Sequence, residues 1–585
     1  MSPRKLQRCL EQIYDAFRPL ARFLLALPSF FCTIACVSQK WLVLLFCGGV
    51  IYLTLFYQLG NLSFFGSDEP RYARVGEEMN LRGSYITPTL NFRPWLEKPP
   101  LLFWLEAVSF RLFGVHEWSA RLPAATLALL SLFIAALLAD DLAGRRVAVF
   151  TVLILCTSGL FFVFARAAST DTLLVALLTT AMVCGFQATR RSPPHLWAAS
   201  TGLALGLAVL AKGPVAVVLF AGVFGLYFLL EQKLGWNLKQ ILLATILFSF
   251  TTVPWFWQVW EENGYNFVAT FWINHHLARF ITDIHHHSEP FWYYLVVLVL
   301  GFFPWVCFLG SALFRTWQRR RHLLSTSYRP ELFLWLWVGV PFAFFSFSES
   351  KLAGYILPVF PPLAVIVALE WEHWLKGDLI SHRMMRPQFV VLGGYALAVV
   401  VTLIWGTHLV YDSMALGILL ASPILGGIIC AYLEFRKRHP VPIFLTLVAT
   451  MSLFASLAYW RAAPVVDDFY SSRDLSQLIL PRISLQEPLI LYRYFHHTAH
   501  YYTRYQVAQE YPSDLKELQD YFRNNPQDRY YILTQERGWM DLQFLESNLV
   551  RHQGNLYLLE ITSPISRDRL GQGQKKLAPR KVSKS

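Results

Sequence analysis

Charged residues are scarce in this chain. Asp, Glu, Lys and Arg together make up 15% of its 585 residues, whereas hydrophobic residues make up 55%. A water-soluble protein of this length needs far more charge on its surface, so the composition excludes an ordinary soluble enzyme or binding domain. The mean hydropathy of +0.39 and the repeated long apolar runs predict an α-helical polytopic membrane protein instead.

Cysteine motifs and a nucleic-acid-binding signature are also missing. The eight cysteines include no CxxC pair, so neither a disulfide framework nor a cysteine-based zinc site is predicted. Basic residues outnumber acidic ones by 51 to 38. This excess collects in short loops and in a basic tail, as membrane topology requires, and we expect no nucleic-acid partner.

About thirteen apolar runs are close to the ~20 residues that a helix needs to cross a bilayer. They fall at about 41–62, 119–138, 147–164, 171–188, 195–211, 214–230, 240–257, 291–311, 332–347, 355–370, 389–406, 414–432 and 441–460.

Basic residues in the connecting loops predict the orientation of these spans. One alternating set of loops is rich in Lys and Arg and is assigned to the cytoplasm, as is the N-terminal segment 1–40, for which we expect a cytoplasmic or interfacial position. The other set, and the C-terminus with it, is expected in the periplasm of a bacterial inner membrane. The basic loops contain Arg145-Arg146, Arg190-Arg191, Lys233, Arg319-Arg320-Arg321 and Arg436-Lys437-Arg438.

The composition divides the chain into domains. A transmembrane domain is predicted over 41–462, and a small periplasmic α/β domain over 463–562, where short apolar strand candidates alternate with a helical stretch at 513–523. A disordered basic tail is expected over 563–585.

The periplasmic loop 63–118 is amphipathic rather than apolar. Ser67 or Asp68 can cap a helix that ends at Gly83, and Pro99-Pro100 can open a second helix that closes at Gly114. In the first helix, Tyr72, Val75 and Met79 are expected on one face, and Arg74, Glu77 and Glu78 on the other. Both helices are predicted to lie on the membrane surface.

Ionisable residues are dense where this loop leaves the membrane. Ser67-Asp68-Glu69-Pro70-Arg71-Tyr72 follows the first span directly, and Glu97-Lys98-Pro99-Pro100 comes later in the same loop. Charged groups are costly to place at a membrane boundary, so the two clusters predict a functional site.

The chain resembles the ArnT-like branch of the polyprenyl-phosphate-dependent glycosyltransferases, which includes lipid A aminoarabinose transferases and is related to protein O-mannosyltransferases. The order and spacing of several motifs underlie the resemblance. They are Asp68-Glu69-Pro70-Arg71-Tyr72-Ala73, Glu97-Lys98-Pro99, Ala168-Ser169-Thr170-Asp171, Ala211-Lys212-Gly213-Pro214, His276 with Arg279-Phe280, His287 with Pro290-Phe291-Trp292-Tyr293-Tyr294, Gly301-Phe302-Phe303-Pro304-Trp305, Ser350-Lys351-Leu352 and Tyr355-Ile356-Leu357-Pro358.

The resemblance implies a GT-C fold and a transferase. A sugar would move from an undecaprenyl-phosphate donor to an envelope acceptor at the periplasmic face, with inversion at the anomeric carbon. The expected acceptor is lipid A or another part of lipopolysaccharide, and the expected sugar is 4-amino-4-deoxy-L-arabinose or a similar one. No cofactor is expected.

The residues themselves suggest roles in such a reaction. Asp68, with Glu69 as second choice, is the candidate catalytic carboxylate, which would activate or position an acceptor group. Fixed positive charge can stabilise the departing phosphate. The full set of candidate donor-binding residues is Arg71, Tyr72, Glu97, Lys98, Asp171, Lys212, His276, Arg279, Lys351 and Tyr355.

Simpler roles remain open for several of these residues. Asp68-Glu69 could have no role beyond capping a helix, and Asp171 could be an N-cap. Arg71 or Lys351 could reach to bulk phospholipid phosphates. Histidines cluster at 275–289, but runs of adjacent histidines do not point to one centre, and we expect no functional metal there.

Other functions compete with a lipid A transferase. A protein O-glycosyltransferase is the alternative within the enzyme class. A polyprenyl-lipid transporter would place charged residues at the midplane of repeated halves, but no internal repeat is found here. A non-catalytic assembly factor would not need the Asp68, Lys98 and Lys351 set.

Overall fold

A computed structural model describes residues 39–232, 234–278, 289–321, 329–543 and 547–561. The predicted N-terminal segment, up to residue 38, and the predicted basic tail lie outside these residues. The chain forms two compact units. The first contains the residues up to Asn61 together with Val75–Ala462, and the second contains Leu62–Arg74 together with the residues from Ala463 onward.

Helices build the first unit. The first half of the chain contributes α1 Gln39–Ile51, continued by a π-helical segment Tyr52–Phe56, and α2 Asp68–Arg82, whose residues up to Arg74 belong to the second unit. It also contributes α3 Leu101–Phe113, α4 Glu117–Ala143, α5 Arg145–Cys156, α6 Gly159–Ala165, α7 Thr170–Ala188, α8 Pro194–Lys212, α9 Val215–Glu231, α10 Leu238–Asn263 and α11 Tyr265–Phe267, which runs into a π-helical segment Val268–Ala278. A two-stranded hairpin, β1 Thr89–Leu90 and β2 Arg93–Pro94, lies between α2 and α3.

The remaining helices of this unit follow after residue 289. They are α12 Tyr293–Gly301, α13 Leu309–Arg319 preceded by a 3-10 turn Trp305–Phe308, α14 Arg329–Ser346, α15 Phe360–Leu375 preceded by a 3-10 segment Ala353–Val359, α16 Leu379–Tyr411, α17 Met414–Arg436 and α18 Pro440–Leu457 with a π-helical end Ala458–Ala462.

Many of these helices can cross a membrane. Among the described residues, eight are long and apolar enough, and the number reaches ten if two bent pairs, α5 with α6 (71°) and α12 with α13 (102°), are each one span. The other three of the thirteen predicted runs also lie on helices, namely α1, α9 and α14, which are shorter or less apolar. The prediction of a helical polytopic membrane protein is confirmed.

Helix α7 lies at the centre of the first unit, with 89% of its apolar window buried. Between Asp171 and Gln187, its side chains are apolar or small on all sides, as expected for a buried helix. By contrast, α16 has only 17% of its window buried. Helix α7 therefore gives the residues at its ends a fixed position inside the bundle.

The two helices predicted in the loop after the first span are present. Gly83 and Gly114 have φ of +65° and +87°, a conformation that glycine adopts at little cost, and each follows the last residue of its helix. The predicted polar face of α2 is wrong in part, because Arg74 and Glu78 are buried, as Tyr72 is. Glu78 accepts hydrogen bonds from the Thr89 hydroxyl (2.8 Å) and from the Phe92 N–H (3.0 Å).

The second unit contains a four-stranded sheet in the order β3-β4-β6-β5, with β3 Ile490–Tyr492 parallel to β4 Tyr530–Gln535 and the remaining pairs antiparallel. Apolar clusters cover both faces of the sheet, as the alternation of side chains along a strand requires. The other elements are α19 Ala463–Tyr470, α20 Arg473–Ile479 with a 3-10 turn Leu480–Arg482, α21 His497–Tyr502, α22 Leu515–Asn524, α23 Glu536–Leu542, β5 Ser547–Gln553 and β6 Leu556–Ile561.

Candidate functional site

A buried ion pair joins the first turn of α7 to the last residue of α8. Ser169 caps α7, since its hydroxyl accepts the Asp171 N–H at 3.1 Å. The carboxylate of Asp171 is therefore not the N-cap, and it pairs with the ammonium of Lys212. The two side chains are only 16% and 11% exposed. Gly213, with φ +86°, ends α8 immediately after Lys212 and so fixes where that side chain begins.

The ring of Tyr355 contacts this ion pair. The ammonium of Lys212 lies 4.5 Å from the centre of the Tyr355 ring, a distance at which a cation is attracted to an aromatic face. Tyr355 follows Gly354, where a Cβ would lie 2.6 Å from Phe164 and 3.0 Å from the Asp171 carboxyl carbon. Only glycine therefore allows the 3-10 segment to approach α7 so closely. We call Asp171, Lys212 and Tyr355 the buried cluster.

Lys351 is held just before this segment. It is 6% exposed, and its ammonium donates a hydrogen bond to the Ser348 carbonyl at 2.6 Å. A lysine that reaches to bulk phospholipid would leave its end group in water, so that alternative does not fit Lys351. Tyr294 is fully buried and donates to the Leu352 carbonyl at 3.2 Å, which fastens the same stretch.

Glu97 and Lys98 lie in the loop before α3 and are half-buried. A carboxylate oxygen of Glu97 lies 3.9 Å from Nε2 of His275. Glu97, a predicted donor-binding residue, therefore contacts the segment that contains the histidines. His276 belongs to the same π-helical segment, but its side chain is outside the described residues, as are Arg279 and His285–His287. Within the described ranges, no group of three or more His, Cys, Asp or Glu is placed to hold a metal ion.

Asp68 opens α2 and belongs to the second unit. It forms an ion pair with Arg71, and the two side chains are 51% and 20% exposed. Arg71 also donates to the Ser67 carbonyl at 3.0 Å. Glu69 has a different position, since it is 5% exposed and accepts the Phe65 N–H at 2.8 Å. Of the two candidate carboxylates, Asp68 is the one that solvent or a ligand can reach.

Residues 62–74 pack against the C-terminal part of the second unit, which the sequence did not predict. The Ser63 hydroxyl binds Asp467, the Phe64 N–H donates to the Tyr502 hydroxyl at 2.9 Å, and Arg74 lies 4.9 Å from the centre of the Tyr505 ring. These contacts join segments about four hundred residues apart, so no local pattern could have revealed them.

His497 is the residue of this unit that the sequence analysis missed. It opens α21, close enough to Arg71 and Asp68 to interact with their charges. Burial, reinforced by the positive charge of Arg71, lowers the pKa of His497 to about 4. The imidazole is therefore neutral at neutral pH, when it can both donate and accept a hydrogen bond. We call Asp68, Arg71 and His497 the exposed cluster, after the exposed carboxylate of Asp68.

Arg166 was also missed, although it stands two residues before a predicted motif. It is 4% exposed, donates to the Tyr57 carbonyl at 2.6 Å and lies 3.6 Å from the centre of the Tyr459 ring. Its partners are at the π-helical segments that follow α1 and α18, and such segments occur often at functional sites. A lone arginine between two apolar runs was the signal available in the sequence.

The structure therefore gathers part of the predicted site into two clusters, one in each unit. The buried cluster combines an ammonium, a carboxylate paired with it and an aromatic ring. The exposed cluster presents a reachable carboxylate beside an arginine and a neutral histidine. Tyr72, which directly follows Arg71 in the sequence, is buried. The convergence of Lys98, Lys351 and Arg279 on one cavity, with Tyr355 beside it, stays a prediction.

Comparison with known proteins finds glycosyltransferases that use lipid-phosphate sugar donors. A family profile described as dolichyl-phosphate-mannose-protein mannosyltransferase matches residues 97–257. An undecaprenyl phosphate-α-4-amino-4-deoxy-L-arabinose arabinosyl transferase of Pseudomonas aeruginosa (strain UCBPP-PA14) is 30% identical over 436 residues, which are 72% of each chain. The corresponding transferase 2 of Proteus mirabilis (strain HI4320) is 33% identical over 331 residues, which are 55% of this chain and 59% of that relative.

The fold is shared with a solved structure. A crystal structure of ArnT from Cupriavidus metallidurans bound to undecaprenyl phosphate superposes with a TM-score of 0.74 at 23% identity, and the match covers 90% of this chain and 98% of that one. The fold is therefore of the GT-C type, as predicted. The chain belongs to the ArnT-like family of polyprenyl-phosphate-dependent glycosyltransferases.

Proposed function

We propose that this protein transfers a sugar, 4-amino-4-deoxy-L-arabinose or a similar one, from an undecaprenyl-phosphate donor to lipid A. The observation that supports this most is the identity of 30% over 72% of both chains with a relative named for the undecaprenyl-phosphate aminoarabinose donor. The identity of the acceptor rests on the family resemblance. We further propose thirteen spans in a bacterial inner membrane, with the reaction at the periplasmic face.

The proposed reaction is a direct displacement at the anomeric carbon. The bond between that carbon and the donor phosphate oxygen breaks, a bond to an acceptor oxygen forms, and the electron pair of the broken bond stays on undecaprenyl phosphate. Positive charge from Lys98, Arg279 and Lys351 would stabilise the departing phosphate. The already paired Lys212 would act mainly by holding Asp171 and Tyr355 in place.

Asp68 would act at the acceptor side. A phosphate of lipid A is already ionised at neutral pH, so Asp68 would orient groups around the reacting oxygen rather than remove a proton. Its half-exposed position and its pairing with Arg71 support this role, because an exposed pair can exchange partners at little cost.

Mass spectrometry of lipid A tests the proposal. A strain without the gene is expected to lack an aminopentose substituent that the wild-type gene restores and the Asp68→Asn gene does not, at equal abundance of both proteins in the membrane. Unmodified lipid A in the complemented strain under conditions that supply the donor would contradict a lipid A transferase.

A protein O-glycosyltransferase is the second candidate, supported by the mannosyltransferase profile over residues 97–257. Glycopeptide analysis of periplasmic proteins from the same strains distinguishes the two functions. Loss of hexose from Ser or Thr peptides, with lipid A unchanged, would favour this alternative.

A further inference from the structure

A basic cleft lies at the opposite end of the bundle from the predicted reaction site, where α15, α16 and α17 have the termini that the positive-inside pattern assigns to the cytoplasm. It has a volume of about 780 Å³, which is within the range of small-molecule sites. Its lining includes Trp374, Arg383, Arg386, Phe435, Arg436 and Arg438. We call the four arginines with their two aromatic neighbours the basic cleft.

The side-chain partners of the four cleft arginines bear on what the cleft can bind. Across the described ranges, none of their side chains forms a hydrogen bond or an ion pair with a protein group. The carboxylates nearby are engaged elsewhere, Glu372 with Arg146 and Lys376, Glu434 with Lys437 and His439, and Asp378 with Arg315. Four like charges around one cavity repel one another, so the cleft favours an anionic occupant.

The depth of these arginines matches the phosphate layer of a bilayer. Helix α16 has 33 residues and is about 50 Å long, which exceeds the ~30 Å hydrocarbon core. Arg386 precedes the apolar run 389–406 by three residues, or about 4.5 Å, and Arg436 follows the run 414–432 by four residues, or about 6 Å. The backbones of both arginines thus lie close to the hydrocarbon boundary.

We propose that the basic cleft binds the phosphate headgroup of an anionic phospholipid from this leaflet. Arginine suits phosphate because its planar guanidinium can donate two parallel hydrogen bonds, and basic pockets between membrane helices commonly take such headgroups. One turn beyond Arg386, Val390 and Val391 are exposed and offer an apolar surface to acyl chains, which a free phosphate would not use. This site is separate from the proposed transferase function.

Lipid titration of the full-length protein tests the site. We would measure binding of dioleoyl phosphatidylglycerol and of dioleoyl phosphatidylethanolamine by native mass spectrometry after delipidation. Arg383→Gln/Arg386→Gln is the cleft variant, and Arg436→Gln/Arg438→Gln repeats the test from α17. Arg145→Gln/Arg321→Gln is the matched control, because both arginines are exposed outside the cleft, lie on the same predicted face and remove the same charge.

We expect saturable binding of phosphatidylglycerol to the wild type and the control, and binding about 10- to 30-fold weaker for either cleft variant. Phosphatidylethanolamine should bind at least tenfold more weakly than phosphatidylglycerol. An equal loss in the control would reduce the effect to net charge and overturn the proposal, as would wild-type binding by both cleft variants. Competition by glycerol 3-phosphate at the same concentrations as the lipid would show a site for free phosphate instead.

Discussion

Two carboxylate–cation pairs of this protein differ in their surroundings. Asp171 and Lys212 are 16% and 11% exposed, whereas Asp68 and Arg71 are 51% and 20% exposed. Breaking a buried pair leaves an uncompensated charge and is strongly destabilising, whereas an exposed pair contributes little to stability. We therefore expect the buried pair to stabilise the first unit and the exposed pair to be available for interaction with a ligand.

The largest expected effect comes from changing the exposed carboxylate. Asp68→Asn should lower the rate of sugar transfer in proteoliposomes by about 10²–10⁴-fold, with little change in the free energy of unfolding. Asp412→Asn, at a carboxylate that is 96% exposed, is the control and should leave the rate unchanged. A rate within a few-fold of wild type would reduce Asp68 to a helix-capping residue.

Changing the buried cation should act on stability instead. Lys212→Met is expected to lower the free energy of unfolding by about 3–5 kcal/mol, because Asp171 would remain buried without its partner. Arg190→Gln, which removes one of two arginines from the more exposed pair with Asp141, should cost less than about 1 kcal/mol. Equal losses in both variants would mean that burial does not distinguish these pairs.

Much of the local structure could be predicted from the sequence, since apolar runs, capping residues and glycines act over a few residues. The ends of α2 and α3 at Gly83 and Gly114 are examples. The burial of Arg74 and the contact of residues 62–74 with Tyr502 could not be predicted, because the partners are hundreds of residues away. The same holds for the site: the motifs identified Asp171 and Lys212, but not that they form one pair.

Smaller effects are expected from the predicted phosphate ligands. Lys98→Ala and Lys351→Ala should each weaken binding of the polyprenyl-phosphate sugar by about 1–3 kcal/mol, the scale of a charge-assisted hydrogen bond to phosphate. Donor titrations in nanodiscs would measure this, with Lys239→Ala at an exposed lysine as the control. If both variants kept wild-type affinity, other residues would have to bind the phosphate.

A pH-dependent effect on stability is expected from His497 in the exposed cluster. Because its pKa is lowered to about 4 from an ordinary 6.5, the unfolded chain takes up a proton first as the pH falls. The contribution of His497 to the stability of the second unit should therefore decrease between pH 6.5 and 4 and level off below pH 4. Thermal unfolding of the full chain at pH 7 and pH 5 should show a smaller difference for His497→Gln than for wild type or His195→Gln. An unchanged difference would place His497 in solvent.

Double-mutant cycles on the two pairs test the contrast between them most directly. The free energy of unfolding would be measured in one membrane mimetic for Asp171→Asn, Lys212→Met and their combination, and likewise for Asp68→Asn, Arg71→Met and theirs. We expect a coupling energy of about 2–3 kcal/mol for the buried pair and less than about 1 kcal/mol for the exposed pair. Equal coupling energies, or a larger one for Asp68 and Arg71, would contradict the division of roles between them.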